Sequence, residues 1–431
     1  MRRALLCAVL VVLAGCAVPA ADPGSEPGTD RLGWENGYWH DDPVAVNATD
    51  GLNGSEREAV LARQMARIEH VRNLEFEDPV GLRVITREEY RRNRSGGSDE
   101  THAQWNNQVW EALFLVGEDT SVEEEFNSTL GSSVLGYYRA GSNEVVIVSD
   151  REDPMIDRGT LVHELVHALQ DQQFGLGEVP DTQDRQLARN SVVEGEANLL
   201  ERRYEQRCGG EWDCIETPPR AGTGGGNVNR GVLLVILAPY VQGPDFITAV
   251  QRRGGWSAVN DLHREYPAST EQVLDPELLS DETPVEVTVT DRSNDEWRRF
   301  DHDPVADTVG QASIHATFFQ NGIRAADVER YSYAHPAAVG WEGDTVVPYR
   351  NGDRFGYVWE TAWESEAEAR QFAATYRALL ESEGATVRDG GVAVVPGPSP
   401  FEDAFRVTRD GKRVRVVNAP TAEELPAVHA R

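Results

Sequence analysis

One segment limits what this chain can fold into more than any other. The stretch TLVHELVHALQDQQF, residues 160–174, is apolar around most of a helical circumference. It therefore predicts a helix buried in a core rather than one lying on the surface. Its polar residues fall on a single stripe, because residues three and four apart share a helix face. A buried polar stripe must find partners, so we expect a site on this face, formed by Thr160, His163, Glu164, His167, Gln170 and Asp171.

The spacing within the stripe favours a metal. His163 and His167 lie one helical turn apart, so both imidazoles are directed at one point, as two ligands of a zinc tetrahedron would be. Glu164 lies beside that point, where it can take a proton from a zinc-bound water whose pKa the metal lowers toward ~7. Chance also produces this short pattern, but the buried context and the strand just before the helix make an accident less plausible. We therefore predict a Zn²⁺ site.

Zinc needs a third protein ligand, and NSVVEGEANLL, residues 190–200, offers two glutamates. Helical spacing leaves both open, because Glu196 shares a face with apolar residues and also requires a partner. An HExxH helix followed by a glutamate on the next helix, in a Glu-Gly-x-Ala setting, resembles the gluzincin metallopeptidases. In that family the glutamate before the glycine binds the metal. The resemblance therefore implies Glu194 as third ligand, Glu164 as catalytic base and a peptide or protein as substrate.

The same resemblance implies other parts of a site. Gluzincins place an edge strand beside the metal helix to pair with an extended peptide, and we assign this role to the strand 144–148. Asn198, one turn beyond Glu194, is expected to hold a ligand histidine. The gap from His167 to Glu194 is longer than in thermolysin-like enzymes, which implies a divergent branch. A side chain that stabilises the oxyanion is also expected, with three candidates: Tyr240, Tyr266 and His315.

The charge balance excludes one class of partner. The chain has 72 acidic and 41 basic residues, for a formal net charge of −31, so it repels polyanions and we expect no nucleic-acid partner. The acidic residues are spread along the chain, and Lys412 is the only lysine. This composition resembles that of proteins from salt-in halophilic archaea, in which molar salt screens the self-repulsion.

The N-terminus predicts export. An arginine pair precedes an apolar run, and Leu13-Ala14-Gly15-Cys16 resembles a lipobox, which implies cleavage before Cys16 and lipidation of that residue. We expect the protein to be anchored by this lipid to the outer face of the cell membrane, after export by the Sec or the twin-arginine route. In an exported protein, Cys208 and Cys214 favour a disulfide over a metal site, which would need two more ligands nearby.

Composition and patterning divide the chain into a signal peptide with lipobox (1–16), a stalk (17–44), a zincin-like metallopeptidase region (45–330) and a C-terminal α/β domain (331–431). The expected fold class is α+β, with a mostly helical zincin-like domain that contains a small sheet, plus the α/β domain. The sequence does not indicate an oligomeric state. Two functions remain open: a cell-surface zinc metallopeptidase, or a catalytically inactive lipoprotein that keeps the zincin-like fold for binding or envelope structure. The intact His-Glu-His core favours the enzyme.

Overall fold

The computed structural model describes residues 30–47, 50–93, 99–130, 134–218 and 228–431. The signal peptide and lipobox expected at 1–16 lie outside these residues.

Helices and strands are both present in quantity, and the α+β class is confirmed. The helices are α1 (Gly54–Arg72), α2 (Arg87–Asn93), α3 (Glu100–Ala112), α4 (Val122–Leu130), α5 (Arg158–Phe174), α6 (Gln183–Glu205), α7 (Arg230–Arg264), α8 (Thr270–Leu274), α9 (Gly310–Gln320), α10 (Glu366–Ser382) and α11 (Leu425–Val428). The strands are β1 (Trp34–Glu35), β2 (Tyr38–Trp39), β3 (Gly81–Ile85), β4 (Gly136–Arg139), β5 (Glu144–Val148), β6 (Arg298–Arg299), β7 (Trp341–Asn351), β8 (Arg354–Trp363), β9 (Thr386–Arg388), β10 (Val392–Val394), β11 (Ala404–Asp410) and β12 (Arg413–Ala419).

The strands form three sheets within the described residues. β1 and β2 make a small hairpin, and a second sheet has the order β3-β5-β4. In this second sheet β5 is central, pairing in parallel with β3 and antiparallel with β4. The third sheet is antiparallel, with seven strands in the order β6-β7-β8-β12-β11-β10-β9.

Helix α5, which carries the two histidines, is buried as its pattern predicts. Asp157 caps it by accepting a hydrogen bond from the Thr160 backbone N–H at 2.8 Å. Its apolar residues, such as Leu165, pack with Met65 of α1 and Val145 of β5 in one core cluster. The helix is therefore held between α1 and the three-stranded sheet, and this packing fixes the face that carries the polar stripe.

The antiparallel sheet shares a core with helices from the first part of the chain. Trp110 of α3, Val232 of α7 and Phe318 of α9 belong to the same apolar cluster as Trp359 of β8 and Phe372 of α10. Strand β6 of this sheet also precedes residue 331, where we expected the C-terminal domain to begin. The sheet and the surrounding helices are thus joined by one continuous interior.

The stretch expected to be the end of a stalk, residues 30–44, contains the β1–β2 hairpin, and this hairpin packs on α1. The backbone N–H of Gly33 donates to the Glu69 carboxylate at 2.8 Å, and the His40 ring stacks on His70 with centroids 3.8 Å apart. The segment was assigned to a stalk because it is rich in Pro, Gly and acidic residues. That assignment gave too little weight to the aromatic residues Trp34 and Trp39, which pair in the hairpin. The expected stalk is wrong over these residues.

Helix α7 has the length and hydropathy of a membrane span, yet half of its most apolar window is buried inside the protein. It crosses α6 with its backbone in direct contact. A Cβ added to Gly195 of α6 would lie 2.5 Å from the carbonyl carbon of Gly243 in α7, so only glycine fits this crossing. The close approach brings Tyr240 of α7 beside Glu194 of α6.

The predicted disulfide between Cys208 and Cys214 is confirmed. It closes a short loop at the end of α6, and Trp212 within that loop is buried in the same core cluster as α5. The disulfide therefore fixes the C-terminal end of the helix that supplies Glu194.

Candidate metal centre

The structure brings His163, His167 and Glu194 together. Their ligand atoms all lie within 4.8 Å of one another. The Glu194 Oε2 atom is 3.1 Å from His163 Nε2 and 3.5 Å from His167 Nε2. Zinc bonds of 2.0–2.1 Å at tetrahedral angles separate two ligand atoms by ~3.3 Å. The two distances from Glu194 therefore fit the spacing of a tetrahedral zinc site.

The second ring nitrogen of each histidine has its own partner. His163 Nδ1 lies 3.5 Å from the Glu201 carboxylate, and His167 Nδ1 lies 2.9 Å from Gln170 Oε1. Metal-binding histidines normally donate their free ring N–H to such a group, which orients the ring and selects its tautomer. The donor set thus presents Nε2 of both imidazoles to the cluster and fits a bound zinc ion.

The electrostatics of the cluster favour positive charge beside Glu194. Burial opposes a charged imidazole, but hydrogen bonds to Glu194 and Glu201 outweigh it and raise the pKa of His163 to about 10. The pKa of His167 is also raised, since the charge of Glu194 overcomes the effect of burial. Burial likewise opposes ionisation of Glu194, yet the two histidines hold its pKa well below the usual range. The carboxylate is therefore charged and suited to bind a cation.

The Glu196 side chain has different partners from the Glu194 side chain. It is 1 % exposed and pairs with the Arg72 guanidinium, and its Oε2 lies 2.6 Å from His263 Nε2. Burial raises the pKa of Glu196, but the charges of Arg72 and His263 more than reverse this and hold it well below its usual range. Of the two glutamates, the structure places Glu194 at the histidines and gives Glu196 its own buried partners.

Glu164 is fixed by the neighbouring strand. Its Oε2 accepts a hydrogen bond from the backbone N–H of Tyr138 in β4 at 2.8 Å. Because β5 is paired on both sides, our assignment of the strand 144–148 as the edge strand is wrong. The edge strand beside α5 is β4, and the sequence does not show which strand of a hairpin lies outermost.

The outer edge of β4 has backbone groups directed toward the cluster. Leu135 accepts from Val148 of β5, so alternate residues of β4 face β5 and the intervening ones face away. The intervening residues are Gly136 and Tyr138, and the N–H of Tyr138 does point away from β5, to Glu164. The Tyr138 N–H is occupied by Glu164, so an extended chain along this edge would pair with the remaining outward backbone groups of Gly136 and Tyr138.

A cavity of about 720 Å³ opens in front of these residues. Its lining includes the three clustered residues together with Glu164, Tyr138 and Tyr240. Burial, together with the charge of Glu194 and a hydrogen bond to it, raises the pKa of Tyr240, so its hydroxyl is protonated and can donate.

The other two candidates for oxyanion stabilisation lie elsewhere in the described chain. His315 is fully buried, and its Nε2 contacts the carbonyl of Arg330 at 2.9 Å. Tyr266 is absent from the described lining of the cavity. Its ring packs against the Arg189 guanidinium, whose carbon lies 5.5 Å from the centre of the Tyr266 ring. Of the three, only Tyr240 lines the cavity.

Sequence reasoning missed two of the supporting residues. In the described chain Asn198, which we expected to hold a ligand histidine, makes no hydrogen bond to either imidazole; Glu201 contacts His163 instead. Glu201 lies seven residues after Glu194, two helical turns along the same face, which is a signal that helical spacing offers. Gln170 belongs to the predicted stripe, but the sequence did not indicate that it contacts His167.

The comparison with known proteins finds a match in the C-terminal part of the chain. Residues 298–429 match a domain of unknown function (DUF8575). No curated protein and no solved structure shows significant similarity to the chain. The matched region begins after α7, so the clustered residues His163, His167 and Glu194 lie before it.

Proposed function

We propose that this protein is a zinc-dependent metallopeptidase. The observation that supports it most is the convergence of His163, His167 and Glu194 at zinc-ligand spacing, with Glu164 in the same cavity. These three residues would hold the ion. Zinc bound there supplies a water of lowered pKa and a Lewis acid for the substrate carbonyl.

The protein's own groups have complementary roles. The Glu164 carboxylate is an acceptor for the proton released when water attacks, and the Tyr138 N–H holds it in place. The Tyr240 hydroxyl can donate a hydrogen bond to an oxygen that gains negative charge. The outer edge of β4 can bind a peptide through its backbone, which supports a peptide as the substrate.

Metal analysis of the purified protein, together with hydrolysis of a fluorogenic peptide library, tests the proposal. The wild-type protein should contain about one zinc ion per chain. Glu164→Gln should retain the zinc and lose about 100-fold or more of the hydrolysis rate, the usual contribution of a general base. Glu178→Gln, an exposed carboxylate on a loop, is the matched control and should leave the rate unchanged.

Two results would contradict the proposal. A protein without zinc would remove the metal centre, and equal hydrolysis by the Glu164→Gln variant would remove the base. Zinc binding without turnover of any peptide would instead favour the catalytically inactive lipoprotein.

We further propose that the protein acts at the outer face of the cell membrane, anchored through Cys16. The support is the signal sequence with its lipobox-like ending. In cell fractionation, Cys16→Ala should move the protein from the membrane to the medium. An unchanged membrane fraction would refute the lipid anchor.

A further inference from the structure

A buried chain of polar side chains runs from His167 away from the cavity. Gln170 contacts His167, and Glu196 contacts Gln170. The other oxygen of Glu196, Oε1, accepts from Arg72, and His263 contacts the same oxygen as Gln170, Oε2. The two middle members, Gln170 and Glu196, are 2 % and 1 % exposed, so bulk water does not compete for their hydrogen bonds.

The direction of each hydrogen bond in this chain is determined. The Gln170 amide nitrogen lies 3.0 Å from the carbonyl oxygen of Val193 and 2.8 Å from Glu196 Oε2. A carbonyl oxygen can only accept, so the NH₂ group must occupy this side of the amide. Both amide hydrogens are then engaged, one with Val193 and one with Glu196.

With its NH₂ group fixed, the Gln170 amide presents its oxygen to His167. That oxygen lies 2.9 Å from Nδ1, and because it can only accept, Nδ1 must carry the proton. In the neutral form that a metal requires, an imidazole protonated at Nδ1 has its lone pair on Nε2, the atom that faces Glu194.

We infer that Gln170 and Glu196 are positioning residues, which fix His167 in the tautomer that presents Nε2 as a metal ligand. The inference depends on the proposed metal centre. Glu196 thus has a role at the site without binding the metal itself, because it acts through Gln170. Arg72 and His263 position Glu196 in turn. The ring centre of Trp256 lies 4.1 Å from the guanidinium carbon of Arg72.

Zinc affinity, measured by competition with a chromophoric chelator, tests this inference. Gln170→Leu should bind zinc about 10- to 100-fold more weakly than wild type, the usual effect of removing a partner of a ligand histidine. Glu196→Gln should weaken binding less, since Val193 still orients the Gln170 amide. His163→Ala, which removes a ligand, sets the lower limit of affinity.

A matched control separates positioning from general stability. Gln108 is also a buried glutamine that donates to the side chain of a buried glutamate, Glu111, at 2.7 Å, but it lies outside the cavity lining. Gln108→Leu should lower the thermal midpoint by an amount similar to Gln170→Leu and leave zinc affinity within about 2-fold of wild type.

A donor exchange keeps the inference falsifiable if Gln170→Leu fails to fold. Unlike Gln170→Leu, the Gln170→Glu variant keeps an acceptor for His167 Nδ1. It also places the new carboxylate beside that of Glu196, so it should bind zinc weakly. Adding Glu196→Gln supplies a new donor to position 170 and should recover at least about 10-fold in affinity.

The possible failures are distinguishable. If wild type binds no zinc, the proposed function is wrong. If wild type binds zinc while Gln170→Leu binds it equally well, or the exchange variant shows no recovery over Gln170→Glu, the metal centre stands and the positioning role is refuted.

Discussion

Replacing Gly195 by alanine should destabilise the protein at the crossing of α6 and α7. A Cβ at this position would lie 2.5, 2.6 and 2.7 Å from the carbonyl carbon, Cα and carbonyl oxygen of Gly243. Real Cβ contacts of this kind do not occur, and the obstructing atoms are backbone, so no rotamer change relieves them. The two helices must therefore move apart.

Two opposing terms set the size of the effect. Alanine favours a helix interior over glycine by ~1 kcal/mol, whereas overpacking costs ~1–3 kcal/mol and more when backbone must shift. Because the contact here is with backbone, we take the upper end of that range and expect a net loss of about 2 kcal/mol in unfolding free energy. Separation of the helices would also move Tyr240 away from Glu194.

Thermal and urea unfolding measure this loss, with Gly54→Ala as the matched control. Gly54 begins α1, and a methyl group added there would have nothing within 4 Å, so its replacement should leave stability unchanged or slightly raised. A Gly195→Ala protein as stable as wild type would refute the close crossing of α6 and α7.

Three further outcomes are expected. Removing the disulfide with Cys208→Ala and Cys214→Ala should cost about 2 kcal/mol of unfolding free energy, as expected for so short a loop; no change in the urea midpoint would contradict this. Burial raises the pKa of Asp184 from 3.8 to about 7, so the folded state holds this proton more tightly and stability is lost as pH rises from ~4 to ~7. Asp184→Asn keeps an oxygen acceptor for Thr270 and should flatten this part of the stability curve; an unchanged slope in thermal melts would rule out the contribution. Zinc at about 100 times its Kd should raise the unfolding free energy by about 2.7 kcal/mol, and His163→Ala should abolish that gain; equal stabilisation of the variant would place zinc elsewhere.

The sequence predicted local features of the site well. The helical stripe, the strand 144–148 and the disulfide depend on residues close together in the chain, so local sequence patterns reveal them. The α+β class follows from the same local patterns.

Features that depend on distant residues were beyond the sequence. Glu194 and Glu196 lie two residues apart on one helix, and the structure separates them because Arg72 and His263 come from other helices. The edge position of β4 depends on β3 pairing with the opposite side of β5. In both cases the deciding partner is remote in sequence, so local periodicity contains no information about it.

The common core of the helices and the antiparallel sheet has a consequence for any shortened version of this protein. The region of family similarity, 298–429, contains Trp341, Trp359 and Trp363, which are covered in part by helices that precede it. A recombinant fragment cut at residue 298 would leave these aromatic faces in contact with water and would be prone to self-association. The region matched by sequence similarity therefore contains only part of the residues that share this core.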